Sequence, residues 1–384
     1  MAEVTFDKAE ALKLLELMIE TNTVNPPGNE LVLAKKLKEL AEKEGLEAEL
    51  DEFLPNRANL VVRLKGKKST AELVTTGHLD TVPVGETAWD HDPFRLTVEG
   101  DTAYGRGISD MKSGDAAMLF AMFLLKRNGI VPEQDTIFVG TVGEETMDLG
   151  SGHFVEKGGM DNAGALLVCE PSGLDIYRCH KGAAWVKLRF YGKISHGSMP
   201  DLGVNAVMHM AKFLDCLSKQ DFYCEPDKYL GMPTFSVNQC TGGAAPNVVP
   251  DYAECVIDFR TIPGQTWDDV KVFLDRALNA AAEGEEDFRY DYEYMDKFLS
   301  PVACPEGHHI LTDLDKAAGR ELKRSQVNFF TDASTMVTSD ALPVVIFGPG
   351  ESAQAHQRNE HMSISKYYEA VSIYYNFVKE YIAD

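Results

Sequence analysis

The chain has 384 residues, of which 44% are hydrophobic and 25% charged, and its formal net charge is −23 at pH 7. That charge argues against nucleic acid or an anionic membrane as partner, since both need a basic footprint. It leaves a small anionic substrate open, because a local arginine or a bound cation outweighs the global field inside a cleft. The length favours two or three folding units with ample chain for buried cores. No run approaches the roughly 20 apolar residues of a membrane span, and Met1-Ala-Glu-Val-Thr-Phe-Asp7 lacks the basic and apolar regions of a signal peptide, so a soluble cytoplasmic protein is expected. The cysteines (Cys169, Cys179, Cys216, Cys224, Cys240, Cys255 and Cys304) are odd in number and scattered, with no Cys-x-x-Cys pair. They read as buried thiols, not as a disulfide framework or a thiolate zinc site.

Residues 7 to 20 carry Leu12, Leu15 and Ile19 on a helical spacing, with Leu14 and Met18 between them and Asp7 placed to cap the helix. Asn25-Pro-Pro-Gly28 must be loop, and a second amphipathic helix from about Glu30 to Glu44 stops at Gly45. Strands are expected at 58–64 and 72–76. The stretch 89–107 has too many turn residues for a regular element. A helix follows from Met111 to Arg127, with Asp110 at its mouth. The apolar runs Thr136–Val142 and Ala165–Cys169 read as further buried strands of a parallel sheet.

From about His180 the texture changes. Ala184–Phe190 and Tyr252–Arg260 alternate apolar and polar residues, as half-exposed antiparallel strands do, around helices near 203–219 and 266–282. The expectation is therefore an α/β protein with a mostly parallel-sheet domain, helices on both faces, formed by residues 1–179 and 298–384. Residues 180–297 would form an inserted α+β domain with an antiparallel sheet and two helices. The α/β texture returns with a helix from about 307, a strand Pro343–Phe347, a loop Gly348-Pro-Gly350 and a closing helix Ser363–Tyr381.

Chemistry concentrates where the apolar strands stop. The 72–76 strand ends in Gly77, His78, Asp80 and Pro83, the 136–142 strand in Gly143-Glu144-Glu145, and the 165–169 strand in Glu170-Pro-Ser172. Ligands of open α/β sheets sit in the crevice beyond these carboxyl ends. Three strands finishing in His or carboxylate, with Asp110 at a helix start and His356 in the last loop, form a cluster that core packing does not require. His78, Asp110, Glu145, Glu170 and His356 offer two imidazoles and three carboxylates, enough for two divalent ions. Nitrogen and oxygen donors without thiolate suit zinc, with cobalt or manganese as alternatives. A metal pair about 3.5–4 Å apart acidifies a shared water and polarises a carbonyl, which is what amide hydrolysis needs. Asp80, two residues after His78, is placed to hold that ring through its other nitrogen. Glu144 and Glu145 are expected to diverge at a strand end, Glu145 toward metal and Glu144 as general base.

The strings His78-Leu-Asp-Thr-Val-Pro83, Tyr104-Gly-Arg-Gly-Ile-Ser-Asp110-Met-Lys-Ser-Gly, Glu144-Glu145, Cys169-Glu-Pro-Ser, Ser195-His-Gly-Ser-Met-Pro200 and Ala355-His-Gln-Arg-Asn-Glu360 resemble, in order and spacing, the M20 metallopeptidase family. That family includes acetylornithine deacetylase, succinyl-diaminopimelate desuccinylase, aminoacylase-1 and the glutamate carboxypeptidases. The resemblance implies His78 and Glu170 on one metal, Glu145 and His356 on the other, Asp110 bridging, Asp80 orienting His78 and Glu144 as base. It also implies that the inserted region is a lid and dimerisation domain, so that the protein is a homodimer. There His196 would stabilise the oxyanion in the partner's site, Asn247 would contact substrate, Arg260 would receive a substrate carboxylate, and Gly348 and Gly350 would line the pocket. Gly143, where an acidic residue is common, and Ser113, where glycine is frequent, depart from the pattern without touching a ligand. The implied activity is deacylation of N-acyl-L-amino acids, with a dipeptidase or carboxypeptidase on the same metals as the alternative and a non-catalytic binding protein as the remote one. The pair His308-His309 opens a helix with no carboxylate at a matching spacing and reads as surface.

Overall fold

The computed structural model describes residues 4–382. The chain divides into two compact units, one of Met1–Cys179, Ala303–Gln326 and Thr331–Asp384, the other of His180–Val302 and Val327–Phe330.

The expected mixed α/β class holds in the first unit. Its sheet runs in the order Glu47–Leu54, Arg57–Leu64, Gln134–Thr141, Lys68–His78, Ala163–Val168, Val344–Ile346, Ile176–His180 and Val302–Ala303, with Arg324–Val327 also on Ile176–His180. The middle is parallel: Lys68–His78 lies between Gln134–Thr141 and Ala163–Val168, which in turn pairs with Val344–Ile346. The margins are antiparallel. Leu60, Val62, Leu73, Phe138 and Leu167 enter one core, while the alternating residues Val61, Val74, Val139 and Leu166 point the other way and are buried too. A sheet covered on both faces explains why its strands read as continuous apolar runs.

The helices follow their sequence signals. Lys8–Glu20 begins where Asp7 Oδ1 accepts from the amides of Ala9 and Glu10. Ser113–Arg127 is buried from Ser113 through Leu125, so it is apolar almost all round, and Ile364–Glu380 packs against it. Two expectations need correction, and one strand adds to those expected. Residues 89–107 contain a small hairpin, Thr97–Glu99 with Thr102–Tyr104, extended by His361–Ser363 from far along the chain. Glu47–Leu54 is an edge strand that its acidic residues concealed. His309 does have a carboxylate at a matching spacing, Asp313 one turn on at 2.5 Å.

In the second unit, Thr234–Gly242, Tyr252–Arg260, Ala184–Tyr191 and Arg289–Tyr294 form an antiparallel sheet in that order. The inward residues of Ala184–Tyr191 and of Tyr252–Arg260 share a core with Phe213 of the helix Ala206–Ser218 and Phe273 of Trp267–Ala282. The latter helix starts in a capping box, Asp268 N to Thr266 Oγ1 at 3.3 Å and Thr266 N to Asp269 Oδ2 at 2.7 Å. Among the described residues no helix is long and apolar enough to cross a membrane.

His180, fully buried, meets the Lys181 carbonyl at 2.9 Å through Nδ1, and its Nε2 has no partner among the described residues. Burial pushes the imidazole down to about 4 from its ordinary 6.5. A folded value below the unfolded one means that stability is intact above pH ~6.5 and is lost as pH falls through about 4, by on the order of 3 kcal/mol in full. Urea unfolding of His180→Gln is expected to show a flatter stability curve over that window. An unchanged slope would assign the loss to other groups.

Candidate metal centre

The parallel strands deliver their termini to one edge. His78 is the last residue of its strand and pairs in register with Thr141. Glu144 and Glu145 follow that neighbour, and Glu170 lies two residues beyond the strand Ala163–Val168. Glu144 and Glu145 do not sit on a strand end as expected: they open a short helix, Glu144–Met147. Consecutive helical side chains also diverge, so the two still point differently. Asp110 enters from the turn before Ser113–Arg127, in extended backbone with a cis peptide to Met111. His356 enters from the loop after Val344–Ile346, at φ +62°, a conformation that costs a non-glycine residue about 1–2 kcal/mol.

Two donor groups result, His78 with Asp110 and Glu170, and Asp110 with Glu145 and His356. In each, one ligand atom per residue lies within 4.8 Å of the others. Asp110 belongs to both: its Oδ1 is 3.1 Å from His78 Nε2 and its Oδ2 is 3.5 Å from His356 Nε2. His78 Nε2 lies 3.7 Å from Glu170, and His356 Nε2 lies 2.9 Å from Glu145. The His78 side is closed, with 1% of its side chain exposed, whereas His356 is 53% exposed. An approaching molecule therefore meets the His356 side first.

Electrostatics show why such a cluster suits cations. Burial opposes a proton on His78, yet the Asp110 hydrogen bond and the charges of Glu144 and Glu170 prevail and hold the ring well above its usual range. Burial, then the Glu170, Asp148 and Glu145 charges against the pull of His78, raise Glu144 well above the carboxylate range. Burial and the Asp110 charge do the same to Glu170 and, less strongly, to Glu145. His356 is raised by its hydrogen bond to Glu145. Four carboxylates around two imidazoles, Glu144 and Glu170 buried and Asp110 and Glu145 partly so, are short of positive charge, and divalent ions in place of protons relieve that deficit.

Asp80 corrects the expectation in an instructive way. His78 Nδ1 meets the Asp80 backbone carbonyl at 3.0 Å, while the Asp80 carboxylate lies 3.7 Å from that nitrogen. The carboxylate instead accepts from the amides of Gly143 and Glu144 at 3.0 and 3.3 Å and from Asn25 Nδ2 at 2.8 Å. Asp80 thus steadies the segment that carries Glu144. Glu144 itself is 7% exposed, and its carboxylate accepts no hydrogen bond among the described residues. Asn25, which also reaches Thr146 Oγ1 at 3.0 Å, carries no local sign of this role in the sequence. Its Asn-Pro-Pro-Gly string signalled a turn but not a polar anchor.

The remaining expected residues separate. Gly348 and Gly350 approach the chain's own backbone: a Cβ on Gly348 would lie 2.4 Å from the Cys169 carbonyl, and one on Gly350 2.1 Å from that of Ser109. They let the segments bearing Glu170 and Asp110 close in. His196 and Asn247 lie in the second unit, where the short ladder pairs His196 with Val248 and the Asn247 carbonyl accepts from Gly197 at 2.7 Å. His196 is exposed, with Nδ1 2.8 Å from Ser198 Oγ. Arg260, in the same unit, has both arms of its fork on Asp258, at 2.9 and 3.0 Å, and lies over the Phe330 ring.

A parallel-centred α/β sheet with a carboxylate and imidazole cluster at its carboxyl edge has the layout of a metal-dependent hydrolase. Residues 74–380 match peptidase family M20/M25/M40, and the chain belongs to that family. It is 27% identical over 413 aligned positions to a probable succinyl-diaminopimelate desuccinylase of Staphylococcus aureus (strain MRSA252), covering 99% of each chain. It is 30% identical to an acetylornithine deacetylase of Aliivibrio salmonicida, covering 88% of each. Aminopeptidase PepT of Bacillus cereus superposes with a TM-score of 0.80 over 97% of this chain and 98% of its own at 20% identity, a likeness of fold.

Proposed function

We propose that the protein is a two-metal amidohydrolase that removes the acyl group from N-acyl-L-amino acids. The observation that carries this reading is Asp110, whose two oxygens face the two donor groups. In this reading His78 and Glu170 would hold one ion and Glu145 and His356 the other, with Asp110 offering an oxygen toward each group. Zinc fits the donor set best, with cobalt or manganese as alternatives. When bound, the ions supply Lewis acidity toward the amide carbonyl and make a water acidic near neutrality. Glu144, held by the Asp80 contact to its amide, takes the proton of the attacking water on its carboxylate and passes it to the leaving nitrogen. The second unit serves as lid and dimerisation domain, His196 supporting the developing oxyanion and Asn247 contacting substrate. Arg260 would receive a substrate carboxylate only by exchanging it for Asp258.

The names of the relatives, a desuccinylase and a deacetylase, support the acylated amino acid as substrate. A dipeptidase and a carboxypeptidase among the proteins that share the fold are the ground for a dipeptidase or carboxypeptidase as the second reading. Amine release from N-succinyl and N-acetyl amino acids and from dipeptides, with zinc- or cobalt-loaded protein against a chelated control, separates the two. Metal-dependent cleavage of the acylated amino acids alone is expected. Cleavage of dipeptides alone would assign the protein to the second reading, and cleavage unaffected by the chelator would remove the metals from the mechanism.

A further inference from the structure

Glu360 is absent from both donor groups, yet its side chain is fully buried beside them. Its carboxylate is saturated. Oε2 accepts from Arg106 Nη1 at 2.7 Å and from the Gly107 amide at 2.9 Å, and Oε1 accepts from the amides of Ser109 and Asp110 at 2.8 and 3.0 Å. Three of these donors are backbone amides of the turn that carries Asp110, and buried amides must find a partner. The Glu360 carbonyl adds a fourth backbone contact, accepting from Gly105 at 3.1 Å. Arg106 is fixed in turn, its Nη2 donating to the Pro83 carbonyl at 3.2 Å and its guanidinium lying 5.0 Å from the Trp89 ring. From the same loop, the Glu351 backbone exchanges hydrogen bonds with Ser109 Oγ at 2.7 and 3.0 Å. The loop that carries His356 therefore also grips the turn that carries Asp110.

We propose that Glu360 is the positioning residue of the metal centre: its carboxylate shapes the 106–110 turn so that Asp110 reaches both donor groups, coupling Asp110 to the His356 loop. This rests on the two-metal reading of the site. An anion is required for the job. A glutamine in its place keeps the shape but turns an NH2 group toward donors, so about half of the four bonds become donor against donor. The cost falls on the position of Asp110, and losing such outer partners of a metal ligand typically lowers metal affinity 10–100-fold.

The test is Glu360→Gln in the full chain, read in two ways. In metal-stripped protein, hydrogen exchange at the amides of Gly107, Ser109 and Asp110 is expected to quicken at least about 10-fold, while amides of Ile364–Glu380 keep their protection. In chelator competition with zinc, affinity is expected to fall by about 10–100-fold. Should the variant not fold, Glu360→Asp, which keeps the charge for Arg106 but is one methylene shorter, is expected to move both readouts in the same direction by less. Unchanged exchange at the three amides, or wild-type zinc affinity in a variant that only melts earlier, would overturn the proposal. Wild-type protein that binds no zinc would instead remove the reading of the site, and the exchange result would still decide whether Glu360 shapes the turn.

Discussion

Glu144→Gln is expected to lower kcat by at least about 100-fold while leaving metal content unchanged. The reasoning is geometric. Glu144 belongs to neither donor group, so its loss removes no ligand. Its carboxylate is nearly buried and accepts no hydrogen bond among the described residues, while its amide is held by Asp80. A group held by its backbone and unengaged at its carboxylate is suited to exchanging a proton with water. The glutamine is isosteric but cannot take a proton. Because the interaction is made as the water loses its proton, kcat and kcat/KM should fall together with KM little changed. Elemental analysis beside steady-state kinetics checks this; near-normal turnover with full metal content would take Glu144 out of the mechanism.

Asp110→Ala is expected to have the larger effect on metal. Asp110 is the one residue common to both donor groups, so its removal leaves His78 with Glu170 on one side and Glu145 with His356 on the other. Affinity should fall for both ions by more than the 10–100-fold typical of an outer partner, and activity should be lost with it. His356→Ala provides the contrast, since His356 is half exposed and belongs to one group only: one equivalent should be lost and the other kept. Calorimetric titration of stripped protein with zinc counts the equivalents. Retention of two in Asp110→Ala would show that the two groups do not share a ligand.

How far the sequence carries differs between parts of the site. The ligand candidates stood out because each follows an abrupt end of an apolar run, at His78, at Glu144-Glu145 and at Glu170, and a buried parallel sheet leaves polar residues there mainly for ligands. The long helices were legible for a similar reason: apolar spacing, Asp7 at the start of the first and Gly45 past the end of the second are local signals. The small hairpin near residue 100 was not, because its third strand lies some 260 positions away in the chain and its turn-rich stretch has no local preference for a strand.

By itself, then, the sequence determined the class of fold, the family strings and the donor candidates, since these depend on periodicity and residue type over short spans. Tertiary structure alone decided which atoms meet. Asp80 holds His78 by its carbonyl and spends its carboxylate on the Glu144 segment. Gly348 and Gly350 face backbone carbonyls, Arg260 pairs with Asp258, and Glu360 gathers the Asp110 turn across 250 residues of chain. The physical reason is that burying a polar group creates an obligation to pair it, and the partner is set by where distant segments come together, which no local pattern encodes.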